Sequence, residues 1–267
     1  MHEPTNPGPP PERPAASETP SVAVQVRSAS PGGPFADPRS LQILSTEHWS
    51  LLASRSLSYN EAFTRAGMFL TALSASMVAI AFVAQADRTG DAVKVFALVL
   101  LGFDLFVGLT TYLRLVETTR EDLRAVQGMN RIRHAYLEIA PGLAPYFVSS
   151  DRDDFAGILM TYEGPIREDM MGRMPFSSLL HGFSTNTGMV GVVVSLVGAS
   201  LAGVAIAQVG ASMDVIVGAG AVVFFLLEIA VLRYDTASIT TFSSSTVAHF
   251  PSDPPGASVS DGEASER

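Results

Sequence analysis

Cysteine is absent from the 267 residues, which excludes disulfides, thiolate nucleophiles, palmitoyl anchors and cysteine metal sites, and leaves the redox compartment open. Lysine is nearly absent as well. Lys94 is the single example, so arginine carries almost all the positive charge of a chain whose formal net charge is -9. No basic patch interleaved with aromatics is found, and nucleic acid is not an expected partner. Equally missing are a P-loop, a GxGxxG after a strand, an HExxH and a GxSxG elbow. The sequence therefore calls for no cofactor, and the expectation is a protein that is not an enzyme. His2, His48, His134, His181 and His249 stand at no metal-ligand spacing from one another. The acidic run Asp151, Asp153, Asp154 lacks the glycine and terminal glutamate of an EF-hand loop and reads as a solvated turn.

What is present is apolar. Hydrophobic residues make up 47% of the chain and its mean hydropathy is +0.29, although both ends are polar. Residues 1–40, with proline-rich stretches at Pro7 to Pro14 and Pro31 to Pro38, read as a disordered tail without the apolar core of a signal peptide. Residues 233–267, rich in Ser, Pro, Gly and Asp from about Thr240, read the same way. Between the tails lie four windows that meet the length of about 20 apolar residues needed to cross a bilayer as a helix. They are residues 66–85, 93–113, 187–208 and 213–232. The competing reading, four such segments buried in one soluble core, runs against how rarely runs of this length occur outside membranes.

The connections at Ala86 to Ala92 and Val209 to Ser212 are short, so the spans pair as two antiparallel hairpins. Orientation follows from arginine near the span ends. Arg55 and Arg65 precede the first span, Arg114, Arg120 and Arg124 follow the second, Arg173 precedes the third and Arg233 follows the fourth. Only Arg88 and Lys94 stand on the other side, offset by Asp87, Asp91 and Asp214. The expected protein is an all-α, multi-pass protein of the cell membrane with both termini and residues 140–186 cytoplasmic.

The first pair of spans reads as longer than the bilayer. No proline interrupts residues 41–140, and Leu41, Leu44, Leu52, Tyr59 and Phe63 recur at helical spacing, as do Leu123, Val126, Met129, Ile132 and Tyr136 up to Pro141. Residues 41–139 should thus form a transmembrane hairpin that continues as a cytoplasmic helical hairpin. Arg120, Arg124, Gln127, Arg131, His134 and Glu138 form the opposite, polar face of the second helix. Residues 153–174, with Asp153 or Asp154 as N-cap and a break at Gly164-Pro165, supply a third element. His48, Arg55 and Arg133 interrupt otherwise apolar faces. A buried guanidinium needs a carboxylate or an anionic ligand. Glu47, about level with Arg133 in straight helices, is the candidate partner. An anionic lipid or nucleotide at His48, Arg55, Arg131 and Arg133 is the alternative.

Inside the membrane, Asp104 stands near the middle of the second span with no basic residue at its depth. An ionised carboxylate there costs several kcal/mol, so it must be protonated, hydrogen-bonded or facing water. Ser74 and Ser76 are the natural partners, and Gly108 and Thr111 share its face. Glu228 lies about one turn from Arg233, within pairing reach. Gly191, Ser195, Ala199, Gly203 and Ala207 place a small residue at every fourth position of span three. Such a face admits close helix approach, either from span four with its Gly218 and Gly220 or from another subunit.

The stretch EHWSLLASRSLSYNEAFTRAGMFLTALSASMVAIAF, with REDLRAVQGMNRIRHAYLEIAP after span two, resembles an uncharacterised group of actinobacterial integral membrane proteins. The resemblance centres on Asn60, Glu61, Arg65, Asn130, Arg131, Arg133 and Tyr136 and covers roughly residues 41–240. It implies a helical fold in a bacterial inner membrane and no activity. The cytoplasmic helix running into span one is also faintly similar to SLATT-type effectors, predicted pore-formers of bacterial conflict systems, whose usual two spans differ from four. Two functions follow as expectations. The first is a non-enzymatic membrane protein that self-associates, as a homo-oligomer, or binds partners through its cytoplasmic helices. The second is an ion or proton channel or transporter, or a pore-forming effector, with Asp104 lining a polar path.

Overall fold

A computed structural model describes residues 35, 37, 39–86, 90–163 and 185–252. Helix α1 spans Arg39–Ala86, α2 Asp91–Ile139, α3 Phe155–Glu163, α4 Asn186–Ala207 and α5 Met213–Ser245, with a 3-10 turn at Pro141–Tyr146 between α2 and α3. The described residues form helices and connections without a strand, and α1, α2, α4 and α5 are long and apolar enough to cross a membrane. Most of the expected tails, the Gly164-Pro165 break, and Asp87, Arg88, Arg173, His2 and His181 lie outside the described residues.

Local chemistry sets the helix ends. The Asp37 carboxylate accepts from the Arg39 N–H at 2.8 Å as α1 begins, and Pro141, lacking an N–H, stops α2. Thr185 caps α4 by accepting from the Gly188 N–H at 3.0 Å. Gly90 and Gly210 take positive φ, 79° and 72°, where α2 starts and where the chain turns from α4 to α5.

Helix α1 runs antiparallel to α2, with Leu51 against Gly128, Phe69 against Gly108 and Ser76 bonded to Asp104. The buried residues of α2 include an unbroken alternation of four- and three-residue steps from Ala97 through Leu101, Asp104, Gly108 and Thr111 to Ile132. This is the spacing of coiled-coil packing. At about 1.5 Å per residue each helix is about 70 Å long, more than twice the hydrocarbon thickness of a bilayer. Helix α4 lies against both α2 and α5. One cluster, with Phe69, Tyr112, Val116, Val194 and Val231, joins all four long helices, and another, with Leu123, Val126, Met129, Ile158 and Phe242, joins α2, α3 and α5.

Two expectations are corrected. The fourth apolar helix does not end near residue 232. It continues to Ser245, with Phe242 in the second cluster, and residues 246–252 are ordered against α2 and α3, so the chain from 233 to 252 is not a tail. On α1 the expected packing stripe is displaced: Leu41, Leu52 and Phe63 are exposed, Leu44 is half-buried and Tyr59 reaches α2 only with its hydroxyl, whereas His48, Leu51, Arg55, Ser58 and Ala62 turn toward α2. On the polar face of α2, Gln127 is buried and donates to the Asp153 carbonyl at 2.9 Å.

Asp154 is the N-cap of α3, accepting from the Gly157 N–H at 2.9 Å. A methyl group on Gly157 would strike the Arg152 backbone carbonyl, which cannot move aside cheaply. We expect Gly157→Ala to cost about 2 kcal/mol or more. Gly102→Ala, where an added Cβ meets nothing within 4 Å, should leave thermal stability in detergent unchanged or slightly raised.

Candidate functional site

Beyond the apolar spans, α1, α2, α3 and the end of α5 form a head held by polar pairs. Asp122 faces α1 on the buried stripe of α2. Arg55 meets it with two hydrogen bonds, one of them 3.2 Å from the guanidinium NH2 to Oδ2. Tyr59 donates to the same carboxylate at 3.0 Å, and Tyr162 of α3 donates a further short hydrogen bond. Burial works against the charge on Arg55, and the bond and charge of Asp122 outweigh it, raising the pKa. Burial and then the Asp122 hydrogen bond push the Tyr162 hydroxyl up, so it remains a donor. Removing one member of such a pair leaves a buried charge uncompensated and costs about 3–5 kcal/mol. Around the rim, Arg114 bridges Glu61, Glu117 and Glu121.

A second cluster ties the chain's end to the head. Asp153 is fully buried, not solvated as its acidic neighbourhood suggests. Its carboxylate accepts from Arg131 at 2.7 Å and from the N–H groups of His249 and Phe250 at 2.9 and 2.7 Å. Burial alone would raise its pKa, but these donors together hold it below the ordinary carboxylate value. Asp154 accepts from Ser252, His134 stacks on Phe250 with ring centroids 4.0 Å apart, and Arg131 also donates to the Val247 carbonyl. Asn130, also fully buried, uses its whole amide. It donates to the Arg152 and Gly157 carbonyls and accepts from Arg133 at 2.6 Å and Thr161 at 3.2 Å.

The basic residues singled out in the sequence thus separate. Arg55 and Arg131 have carboxylate partners. Arg133 has none among the described residues, its hydrogen bond going to Asn130, and the expected partner Glu47 is exposed and forms no ion pair with it. Burial and then the charge of Arg55 lower the Arg133 pKa. The Nδ1 atom of His48 is buried without a hydrogen bond. Burial and then Arg133 lower the His48 pKa.

Within the apolar spans, Asp104 is fully buried and its Oδ1 accepts from Ser76 at 3.1 Å, while Oδ2 has no partner. Ser74, the other expected partner, points outward and bonds the carbonyl of Leu70. Glu228 is 6% exposed. It makes no ion pair with Arg233 among the described residues, because a five-residue separation turns the two side chains to different sides of α5. Instead it stands beside Ser195 of α4, although neither side chain makes a hydrogen bond of ordinary geometry. The small-residue face of α4 is occupied within the chain: Gly191 lies against Val231 and Tyr112, Gly203 against Ile216, and Gly220 approaches the Ala199 carbonyl. Ala207 is half-buried, its carbonyl receiving the Gly210 N–H.

Sequence reasoning missed Asp122, Tyr162 and the role of residues 246–252. Asp122 was legible in principle, since it stands four residues after Thr118 and three before Ala125 on the buried stripe of α2. The closure by residues 246–252 had no such signal, because it uses mainly backbone N–H and carbonyl groups.

A His48 pKa held low in the folded protein has a definite pH consequence. The unfolded chain binds a proton near pH 6.5 that the folded side chain refuses, so this contribution to stability is present above about pH 6.5 and is lost as pH falls below it. Thermal unfolding in detergent should show the midpoint falling between about pH 7.5 and 5.5, with a smaller fall in His48→Gln. An equal slope in both proteins would contradict the assignment. No family model, curated protein or solved structure matches this chain.

Proposed function

We propose that this is a non-enzymatic, multi-pass membrane protein that works by association with protein partners, its own copies included. In this reading the four apolar helices cross the membrane as two hairpins, and the arginines beside the span ends put both termini and the helical head in the cytoplasm. The observation that carries the association reading is apolar surface beyond the first span. Trp49, Leu52 and Phe63 are 66%, 40% and 57% exposed, and Trp49 stands about 25 Å along α1 from the start of that span. Lipid cannot cover residues at that height, and a contiguous exposed apolar face marks an interaction surface. The polar network beneath keeps this face rigid. In nanodiscs, mass photometry should give a protein mass at least twice the 28.2 kDa of one chain; a single-chain mass at every concentration would refute self-association.

A second reading, an ion or proton pathway, is favoured by one specific observation. Asp104 Oδ2, Ser195 Oγ and both Glu228 oxygens are buried among apolar helices without hydrogen bonds, and polar groups so placed call for water, an ion or a proton. Reconstituted vesicles test it. The reading requires proton or cation flux in the parent protein that falls at least about tenfold in Asp104→Asn, equivalent to about 1.4 kcal/mol in the barrier. Absence of flux in both would remove it.

A further inference from the structure

Helix α1 carries two seams, and only one of them is filled along its whole length. The first, through His48, Leu51, Arg55, Ser58 and Ala62, faces α2. The second lies roughly a quarter-turn away. Ser45, Trp49, Leu52, Ser56, Tyr59 and Phe63 alternate steps of four and three, and the same spacing runs into the span as far as Met77. Trp49, Leu52, Ser56, Phe63, Leu70 and Met77 are exposed, whereas the Tyr59 hydroxyl reaches Asp122 and Ala66 and Leu73 are partly buried against the four-helix cluster. We propose that this second seam is a homodimer contact in which α1 of one copy packs in parallel against α1 of another; the proposal rests on the association reading above and names its surface.

Several features point to a second copy. The exposed positions of the seam run from Trp49 and Leu52 before the span to Leu70 and Met77 within it, so a partner that covers all of them must be an inserted helix with the same crossing, and α1 itself supplies one. Two copies inserted in the same sense are related by a two-fold axis along the membrane normal, which sets α1 against α1 in parallel and in register. Like residues then meet like residues, and charge on the seam would repel. None is on the seam itself: its positions from Ser45 to Met77 and one flank, Thr46, Ala53, Asn60, Gly67 and Ser74, are uncharged, and on the other flank Arg55 is paired with Asp122 of its own chain. Ser45 and Ser56 supply polar layers among apolar ones, a device that selects register in parallel coiled coils.

The surface is also large enough. Trp49, Leu52, Tyr59, Phe63, Leu70 and Met77 are between 37% and 66% exposed. Together they offer on the order of 600 Å² per copy, so a symmetric pair would cover about 1,200 Å², above the roughly 1,000 Å² expected of a specific contact. At the membrane boundary the seam borders a groove of about 270 Å³, with Tyr59, Phe63 and Leu70 on one wall and Thr187 and Val190 of α4 on the other. Large seam residues of the neighbouring copy have room to enter it.

The natural absence of cysteine makes a direct test available. Single substitutions Ser56→Cys on the seam, Thr64→Cys off it on α1 and Ser200→Cys on α4 would be oxidised in native membranes, with masses measured in nanodiscs. The expected result is a disulfide-linked dimer for Ser56→Cys alone, and loss of the dimer mass in Leu52→Glu while the helical content stays unchanged. Crosslinking at Thr64→Cys or Ser200→Cys in place of Ser56→Cys, or an oligomer with no crosslink at Ser56→Cys, overturns the seam and leaves self-association standing. A single-chain mass with no crosslink overturns both, leaving a different protein as the occupant of the face beyond the span.

Discussion

The antiparallel interlock of α1 and α2 is the constraint on which the rest of the structure depends. Within the apolar spans it is made of Phe69, Gly108, Leu73 and Leu105 and tolerates one acid, Asp104, capped by Ser76. About 40 Å of each helix continues beyond the length a bilayer requires. There the same alternating register continues, and its apolar positions give way to Arg55, Ser58, Thr118 and Asp122. A charged pair on a packed seam is a weak source of stability but a strong source of register, because any slip strands a charge in the interior. The Arg55–Asp122 pair, closed by Tyr59 and Tyr162, therefore fixes the relative height of the helices and where α3 docks.

The head is further closed by residues 246–252. Asp153 and Asp154 gather backbone N–H groups from His249, Phe250 and Ser252, and Asn130 saturates carbonyls of the connection before α3. Every donor and acceptor of that asparagine amide is used, as a buried amide requires. Arg133 and His48 stand apart from this economy, with a guanidinium that has no carboxylate and a ring nitrogen that has no partner. These two residues and the buried acids at Asp104 and Glu228 are where unmet polar capacity concentrates among the described residues.

The four apolar helices were legible because a run of about 20 apolar residues is a property of composition, independent of what packs against it. The continuation of α1 and α2 was legible for a related reason, since the absence of proline from residues 41–140 lets a helix go on. Which face of each helix turns inward was less legible. Leu52, Tyr59 and Phe63 form as good an apolar stripe as the true contact face, and periodicity cannot rank two stripes on one helix when the better filled of them holds His48 and Arg55. Ser74 and Ser76 illustrate the same limit: they differ by about 200° around α1, and only packing decides that Ser76 reaches Asp104.

The sequence by itself determined a chain with four membrane-length helices, two of them far longer than a bilayer, and with an acid at mid-span. The tertiary structure alone decided that Arg55 belongs to Asp122 and Arg131 to Asp153, that Glu47 and Arg233 pair with neither Arg133 nor Glu228, and that the polar end of the chain folds back as a clasp. The physical reason is range. Helix formation and apolar length follow from neighbours within a few residues, whereas these pairings join groups from 22 to 97 positions apart, and nothing in local spacing encodes which distant partner a buried charge will find.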